Sequence, residues 1–438
     1  MNFDEAVKYL LSLGHETVAV KLGLDNIGRL LARLGRPERA FPSVQLAGTN
    51  GKGSAAAMLA AVCRAAGVRA GLYTSPHLVS ITERVRMDGR EISREAFARA
   101  ATEARAAAEE IGGGTGALAT FFEQVTAAAL VAFREARVEL AILETGMGGR
   151  LDATTAAGAA LVAVTPVSLD HQEYLGGTLA EIAAEKAAVV RPGTRAVVAP
   201  QEPEAERVIL ARCRGCGVEP RRAAPGWLTV EGACAGGRLR ARLRTERGDY
   251  GAVCLALRGR HQLTNAAVAV ALAETLADDG FAVSRAHVVE GLETAEHAGR
   301  LEAAERGGRA LLFDGAHNAA GARALRAYLD EFVAGPLTIV FGAMRDKALE
   351  EMGRVLFPAA SRLVLTTPLS PRAATVVELL RAVPVPPSSS TIALAPSSRD
   401  ALNLALSQTP AGGTVCVTGS LYLVGEVKAL LGGGEGSQ

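Results

Sequence analysis

Seven consecutive residues, Gly48-Thr49-Asn50-Gly51-Lys52-Gly53-Ser54, set three glycines and a lysine between an apolar run (Val44, Leu46, Ala47) and the helix-forming stretch Ser54 to Ala66. A strand, loop and helix in that order turn backbone N–H groups and a helix N-terminus toward a phosphate chain, with Lys52 able to reach its outer oxygens. The strict phosphate-loop pattern differs at two places. Leu46 stands where the first glycine belongs and Gly53 where Ser or Thr belongs, so the hydroxyl is delayed to Ser54. On these residues alone an ordinary glycine-rich turn is the competing reading. Further along, apolar runs end in groups suited to metal and phosphate. Val68 to Thr74 ends in Ser75-Pro76-His77-Leu78, Val138 to Leu143 in Glu144 and a glycine-rich turn, and Leu161 to Val167 in Ser168-Leu169-Asp170-His171. An acid at the carboxyl end of a strand, in a fold that already holds a phosphate loop, is placed as a Mg²⁺ ligand. Ser75 falls in the same zone, where open α/β sheets gather their ligands.

The elements that must position these groups alternate between strand and helix. Amphipathic helices are expected over Asp4 to Leu13 and Asp25 to Leu34, with a polar turn at Gly14 to Thr17 that leaves His15 in solvent. A helix over Ile92 to Ile111 runs into Gly112-Gly113-Gly114, and Thr120 opens an apolar helix to Ala136. Its pair Phe121-Phe122 is conspicuous in a chain only 4% aromatic, as core or as a stacking surface for a flat ligand. Lys186 lies on a capped helix, Thr178 to Val190, where composition assigns it no role. From Trp227 to Leu257 short runs separated by glycines read as antiparallel hairpins, and the arginines of Arg238 to Leu243 alternate with apolar residues as on a half-exposed strand. Beyond Ala298-Gly299-Arg300-Leu301 a second, smaller α/β unit begins, with strands at Ala310 to Phe313, Leu337 to Phe341, Leu363 to Thr366, Ile392 to Ala395 and Val415 to Thr418; Pro384 to Ser390 reads as a surface loop. The expected fold is α/β. It has an N-terminal, P-loop-NTPase-like, mostly parallel sheet domain (1–296) carrying a small antiparallel insertion near 225–257, a linker at 297–301, and a Rossmann-like C-terminal domain (302–438).

Composition narrows the function. Lys plus Arg (47) balances Asp plus Glu (46), so no basic field argues for nucleic acid. The 49% hydrophobic content is dispersed, without a stretch of bilayer-spanning length, and the N-terminus lacks the basic and apolar regions of a signal peptide, so a cytoplasmic protein is expected. Six scattered cysteines suit a reducing compartment rather than a disulfide framework. Cys213 and Cys216 have metal-site spacing but no second pair follows.

In order and spacing, the motifs resemble the folylpolyglutamate synthase/dihydrofolate synthase family of the Mur ligase superfamily. The resemblance rests on Ala47 to Ser54, Tyr73 to Leu78, Glu144 to Thr154, Leu169-Asp170-His171, Glu185-Lys186-Ala187, Gly259 to Gln262 with Asn265, Gly299 to Glu302, Asp314 to Asn318, and Val417 to Tyr422. It covers nearly the whole chain and accounts for the Lys-Gly-Ser ending of the loop. It implies an ATP-dependent ligase that activates a folate or dihydropteroate carboxylate as an acyl phosphate and joins it to the amine of L-glutamate. Under it, Thr49, Asn50, Gly51, Lys52, Gly53 and Ser54 hold the triphosphate. Ser75, Glu144 and His171 are similar to Mg²⁺ ligands, and Lys186 to a lysine carbamylated in the family. Asn265, Arg300 and Asp314 are similar to ATP contacts, His317 to a group near the reacting phosphate or the glutamate, and Phe122 with Leu151-Asp152-Ala153 to the region that holds a pterin. A monovalent cation such as K⁺, a monomeric state, and no nucleic-acid or membrane partner are also implied. Thr155, Ala188 and Ala319 depart from the family pattern without removing a charged group. Two other readings are kept: a Mur-type ligase acting on a peptidoglycan precursor, disfavoured by Gly53, and a non-catalytic nucleotide-binding protein.

Overall fold

The computed structural model describes residues 1–14, 23–115, 119–382 and 391–432; the expected turn around His15 and the loop Pro384 to Ser390 lie outside them. In chain order the first part runs α1 (Phe3–Ser12), α2 (Asp25–Arg33), β1 (Ser43–Ala47), α3 (Lys52–Ala65), β2 (Ala70–Tyr73), β3 (Val85–Met87), β4 (Arg90–Glu91), α4 (Arg94–Thr115), α5 (Phe121–Glu135), β5 (Leu140–Glu144), β6 (Leu161–Val164), α6 (Gln172–Leu175), α7 (Leu179–Ala187), β7 (Arg195–Val198), α8 (Pro203–Gly215) and β8 (Arg221–Arg222). Then come β9 (Leu228–Cys234), β10 (Arg238–Thr245), β11 (Gly248–Cys254), α9 (His261–Asp278) and α10 (Arg285–Thr294). The last part is β12 (Glu302–Arg306), β13 (Arg309–Phe313), α11 (Ala319–Phe332), β14 (Leu337–Phe341), α12 (Leu349–Leu356), β15 (Arg362–Thr366), α13 (Val376–Arg381), β16 (Thr391–Ala395), α14 (Ser398–Gln408), β17 (Thr414–Thr418) and α15 (Leu421–Gly432).

Two compact units divide the chain. The first comprises Met1–Leu228, Leu243–Gly251 and Thr264–Ala295. Its strands form a sheet ordered β4-β3-β2-β5-β1-β6-β7-β8, parallel from β2 to β8, with β3 and β4 antiparallel at one edge. The central strands β1, β2, β5 and β6 are buried at every position, which their near-continuous apolar sequences require of parallel strands covered on both faces. Capping boxes at Thr120 and Thr178 begin α5 and α7, each with a Glu three residues on returning to the cap. The short edge strands β3 and β4 were not legible as strands in the sequence. The helix expected to stop at Ile111 continues to Thr115, through glycines that pattern reading takes as a break.

The second unit comprises Thr229–Arg242, Ala252–Leu263 and Glu296–Gln438. Its sheet is ordered β12-β13-β17-β14-β15-β16, parallel except for the antiparallel pair β12–β13. Most of the glycine-punctuated stretch that sequence reading assigns to the first domain therefore groups with the C-terminal residues. Particular contacts explain it. Arg260 pairs with Glu331 at 2.8 Å, Arg258 donates to the Leu301 carbonyl at 3.3 Å, and Gly237, at φ 70°, leaves room for the Tyr328 hydroxyl.

Strands β9 to β11 form their own sheet, ordered β11-β10-β9, and β10 alternates buried and exposed residues with its arginines outward. At its end Cys234 and Cys254 are joined as a disulfide with Cα atoms 6.4 Å apart. The sequence reading, which expects no disulfide framework, does not foresee this pair: residues 20 apart in sequence are brought together by the meander, which spacing alone does not reveal. Cys63, Cys213 and Cys416 are buried thiols, and Cys216 follows α8, its thiol 3.5 Å from the Val190 carbonyl. No helix among the described residues is long and apolar enough to cross a membrane.

The loop helix α3 is clamped from outside by α10. A Cβ on Gly291 would lie 2.5 Å from the backbone of Val62. Gly291→Ala gains up to about 1 kcal/mol of helix propensity, but the overpacking it forces costs about 1–3 kcal/mol. The expected outcome is a net loss of stability, read as a lower urea midpoint at unchanged m-value; a midpoint at or above that of the wild type contradicts this packing.

Candidate active site

The site begins where β1 ends. Gly48 takes φ 145°, and a Cβ there would lie 2.8 Å from the Thr165 carbonyl oxygen at the end of β6, so the loop can cross the strand only with glycine. The N–H groups of Thr49 and Asn50 both donate to the Pro166 carbonyl, at 3.0 and 3.1 Å. The Thr49 hydroxyl donates to the Ser168 carbonyl and accepts from the Ser168 N–H, while Asn50 Nδ2 donates to the Ser168 hydroxyl. Thr49 and Asn50 thus anchor the loop to the β6 end, and Gly51 opens the first turn of α3. Gly51, at φ 86°, is the N-cap of α3; a side chain there would run into Asn265, whose Cγ would be 2.9 Å away. Asn265 is buried on α9. The sequence motifs at 48–54 and 265 therefore meet.

Two lysines converge on one carbonyl. Lys52 Nζ donates to the Gly48 oxygen at 3.1 Å and to Thr49 at 3.3 Å. Lys186 Nζ, from the last turn of α7, donates to the same Gly48 oxygen at 2.9 Å. Lys186 is 3% exposed, so the lysine to which composition assigns no role is a buried group. Burial pushes its ammonium down to about pKa 7, Lys52 pushes the same way, and Asp170 and Asp152 oppose them. Lys186 is thus a buried amine poised near neutrality.

The other strand ends bring oxygen donors. Glu144, buried at the end of β5, accepts from the Ser75 N–H at 3.1 Å, so the two groups lie side by side. His171 sits at φ 52°, and its N–H donates to the Asp170 carboxylate at 2.9 Å. Among the described residues no three His, Cys, Asp or Glu side chains group as a metal cage. The pair Ser75 and Glu144 nonetheless fits Mg²⁺, which takes one or two protein oxygens and completes its shell with water and phosphate.

The turn after β5 is built from inside. Asp152 accepts from the Met147 N–H, the Thr154 N–H and the Thr154 hydroxyl at 2.9, 3.0 and 2.5 Å, and desolvation raises its carboxyl above the ordinary value. Its carboxylate thus holds its own turn between Leu151 and Ala153. Gln45, a polar residue in the middle of β1, donates to Thr154 and Thr155, and Thr155 donates to the Gly149 carbonyl at 2.7 Å. Thr155 thereby ties the turn together where the family pattern has another polar residue. Phe122 packs at Gly146, where a Cβ would come within 2.5 Å of the ring, and lies 6.1 Å from Tyr73 centroid to centroid. Sequence reading missed Gln45 and Asp170 as positioning groups. Their signals were present: a glutamine inside an apolar strand, and an acid next to a candidate ligand.

In the second unit the carboxylate of Asp314 accepts from the Leu301 and Ala316 N–H groups at 2.9 and 3.0 Å, and burial raises its carboxyl while Arg300 opposes the shift. Arg300 reaches the Gly315 carbonyl at 3.3 Å, and His317 Nδ1 lies 2.8 Å from the same oxygen. Arg300, Asp314 and His317 are thus gathered around one short turn.

A family model described as the Mur ligase middle domain matches residues 46–273, and one described as the Mur ligase glutamate ligase domain matches 299–421. The chain is 33% identical over 455 residues to the dihydrofolate synthase/folylpolyglutamate synthase of Mycobacterium tuberculosis, covering 97% of this chain and 93% of that one. It belongs to the folylpolyglutamate synthase/dihydrofolate synthase family. A solved M. tuberculosis folylpolyglutamate synthase, complexed with ADP, superposes with TM-score 0.90 at 32% identity over 98% of both chains. An Escherichia coli member in complex with DHPP and ADP gives TM-score 0.86 at 29% identity over 99% of both. A probable bifunctional folylpolyglutamate synthase/dihydropteroate synthase of Haloferax volcanii is 37% identical over 98% of this chain and 50% of that protein. The chain spans about half the length of the two haloarchaeal relatives it matches. The fold is that of the family: a large, mostly parallel N-terminal sheet and a smaller C-terminal α/β unit.

Lys186 makes the site pH-sensitive in a defined direction. Its folded pKa of about 7 lies below the ordinary 10.5. Within that window the unfolded chain holds a proton that the folded lysine has released, so stability rises with pH there, by at most about 1.4 kcal/mol per pH unit. Below the window the burial penalty is present in full. In CO₂-free buffer, the stability deficit of wild type relative to Lys186→Met should shrink as pH rises from about 7 to about 10; parallel profiles would contradict a depressed Lys186.

Proposed function

We propose that this chain is an ATP-dependent acid–amino-acid ligase that joins L-glutamate to a folate or dihydropteroate carboxylate. The observation that carries the reading is the pair of lysines on the Gly48 carbonyl, at the carboxyl end of a sheet that also presents Ser75 and Glu144. The relatives named folylpolyglutamate synthase and dihydrofolate synthase, and solved ones in complex with ADP and with DHPP, support the substrate classes.

In the first step a carboxylate oxygen of the substrate attacks the γ-phosphorus of ATP, forming an acyl phosphate and releasing ADP. In the second the glutamate amine attacks the acyl carbon, phosphate leaves with the bonding electrons, and the nitrogen gives up a proton. Attack by one anion on another needs positive charge at the transition state, which Lys52 supplies from the loop. Thr49, Asn50, Gly51, Gly53 and Ser54 hold the triphosphate, with Asn265, Arg300 and Asp314 as further nucleotide contacts. Ser75 and Glu144 would hold Mg²⁺, with His171 as an additional donor; when bound, the ion would offset negative charge on the phosphate chain. Phe122 and the Leu151-Asp152-Ala153 turn receive the pterin, and His317 faces the reacting phosphate or the glutamate.

A carbamate on Lys186 follows from its neutral amine: the nitrogen lone pair adds to the carbon of CO₂, a proton leaves, and the side chain becomes an anion beside Lys52. K⁺ as a second ion and a monomeric state belong to the same reading.

The test is ADP release by the purified protein with Mg·ATP and L-glutamate, dihydropteroate and tetrahydrofolate being offered separately. Turnover with both makes the enzyme bifunctional, and turnover with tetrahydrofolate alone makes it a chain-extending synthase. Silence with both and turnover with a peptidoglycan precursor would replace the reading with a Mur-type ligase. Lys52→Ala should lose about 10²–10³ in kcat while remaining folded, since it removes charge and no core packing. Lys186→Ala should be inactive and partly restored by added short carboxylates; a fully active variant would remove the carbamate from the mechanism.

A further inference from the structure

At the amino ends of β1, β2 and β5, away from Gly48, Ser75 and Glu144 at their carboxyl ends, lies a cavity of about 420 Å³. That volume is typical of a small-molecule site. Three arginines line it: Arg69, just before β2, Arg134, in the last turn of α5, and Arg137, just past its end. Phe41 and Val138, both buried, give it an apolar wall, and Glu139 is its acidic residue. None of these residues belongs to the family motifs or to the site proposed above.

Two of the three cations are engaged within the protein. Arg69 donates to one Glu139 carboxylate oxygen from both its backbone N–H, at 2.9 Å, and its Nε, at 3.2 Å. Arg134 donates to the Leu34 carbonyl at 2.7 Å and to Glu103 at 3.0 Å. Arg137 is exposed, and among the described residues its guanidinium meets no carboxylate or carbonyl. A guanidinium keeps its charge in proteins and presents five N–H donors in a planar fork. The cavity therefore carries a positive charge that the protein itself does not offset, on a group that takes phosphate or carboxylate bidentately.

The backbone at Arg137 departs from that of comparable helix ends. α5 closes with the Arg137 N–H on the Arg134 carbonyl and the Val138 N–H on the Phe133 carbonyl, both 3.1 Å, which puts residue 137 at φ 52°. The same two-bond closure ends α2, α3, α8 and α9, where the left-handed residues are Gly35, Gly67, Gly217 and Gly280. Glycine is what such a closure asks for, since a Cβ strains the left-handed backbone. The helix dipole does not explain the exception: it favours a cation in the last turn, and Arg134 is already there. What Arg137 adds is its side chain, and that side chain lines the cavity.

We propose that this cavity binds a small molecule that carries an oxyanion group, phosphate or carboxylate, on an apolar body. Arg137 takes the anion, Arg69 and Arg134 add to the positive field, and Phe41 and Val138 pack against the apolar part. Strands of four or five residues, about 13–17 Å, separate this end of the sheet from the phosphate loop, so the two sites share no residue. The proposal is independent of the ligase reading, which concerns the opposite ends of the same strands.

The probes are phenyl phosphate, benzoate and inorganic phosphate, each titrated calorimetrically into the protein at low ionic strength. At least one of the two aromatic probes should fill a site that persists in Lys52→Ala and weakens about tenfold in Arg137→Gly, the size of a lost charged hydrogen bond. Arg137→Gly gives α5 the residue that the other four helices carry, so its urea midpoint should equal or exceed that of wild type, and its lost binding is then not a loss of fold. Inorganic phosphate, without the apolar body, should bind more weakly than phenyl phosphate. Binding of phenyl phosphate alone supports a phosphate ligand, and binding of benzoate alone a carboxylate one. Equal affinity in wild type and Arg137→Gly overturns the proposal, as does the absence of binding by both aromatic probes. Binding lost in Lys52→Ala also overturns it, because the probe then sits in the phosphate loop. Inorganic phosphate binding as tightly as phenyl phosphate overturns the role given to Phe41 and Val138.

Discussion

The carbonyl oxygen of Gly48 is the point on which the first unit's site turns. It accepts from Lys52, the first residue of the loop helix, and from Lys186, on a helix more than a hundred residues later. Both bonds require the chain to cross the end of β6 at Thr165, which only a residue without a side chain permits. The loop's own anchors, Thr49 and Asn50 on Pro166 and Ser168, fix the same crossing from the other side. Phosphate chemistry in such a site draws on a cation held in place before any ligand arrives, here Lys52 with a second lysine beside it. The cost of holding them falls on Lys186, which is buried deeply enough for its proton to become labile near neutral pH.

The second constraint is the way polar groups are spent under the sheet. Asp152 is buried, and three donors converge on its carboxylate, while Gln45 extends the network into the central strand. A buried polar network of this kind is stabilising to the extent that its members are satisfied, and here the Gln45 side-chain oxygen finds no hydrogen-bond partner among the described residues. The network shapes the turn between Glu144 and Asp152, so the carboxylate at the strand end and the aromatic surface at Gly146 are held by one set of bonds. Order at the Glu144 carboxylate and at the Phe122 ring therefore has a common source.

The parallel strands, the phosphate-loop helix and most of the candidate groups were legible in the sequence because each leaves a local mark: an apolar run, a glycine cluster, a polar residue at the run's end. Lys186 was not legible as a buried group, since an alanine-rich helix looks the same whether its lysine faces water or a second lysine. The Cys234–Cys254 pairing and the attachment of Arg258 and Arg260 to the C-terminal unit depend on contacts between stretches far apart in sequence. Periodicity carries no information about such partners. Short edge strands such as Arg90–Glu91 lack the length over which alternation could be recognised.

The composition of the second unit from three separate stretches has a consequence for how the protein can be made. On a ribosome, Thr229–Arg242 and Ala252–Leu263 emerge well before the residues they pack with, and must wait for β12 to β17 to be synthesised. A fragment beginning at Glu296 would lack both of those stretches, including the arginines that hold Leu301 and Glu331. Expression of the C-terminal sheet as an isolated module is therefore a request for an incomplete core, and circular permutants or fusions are better opened at a loop whose two sides belong to one unit.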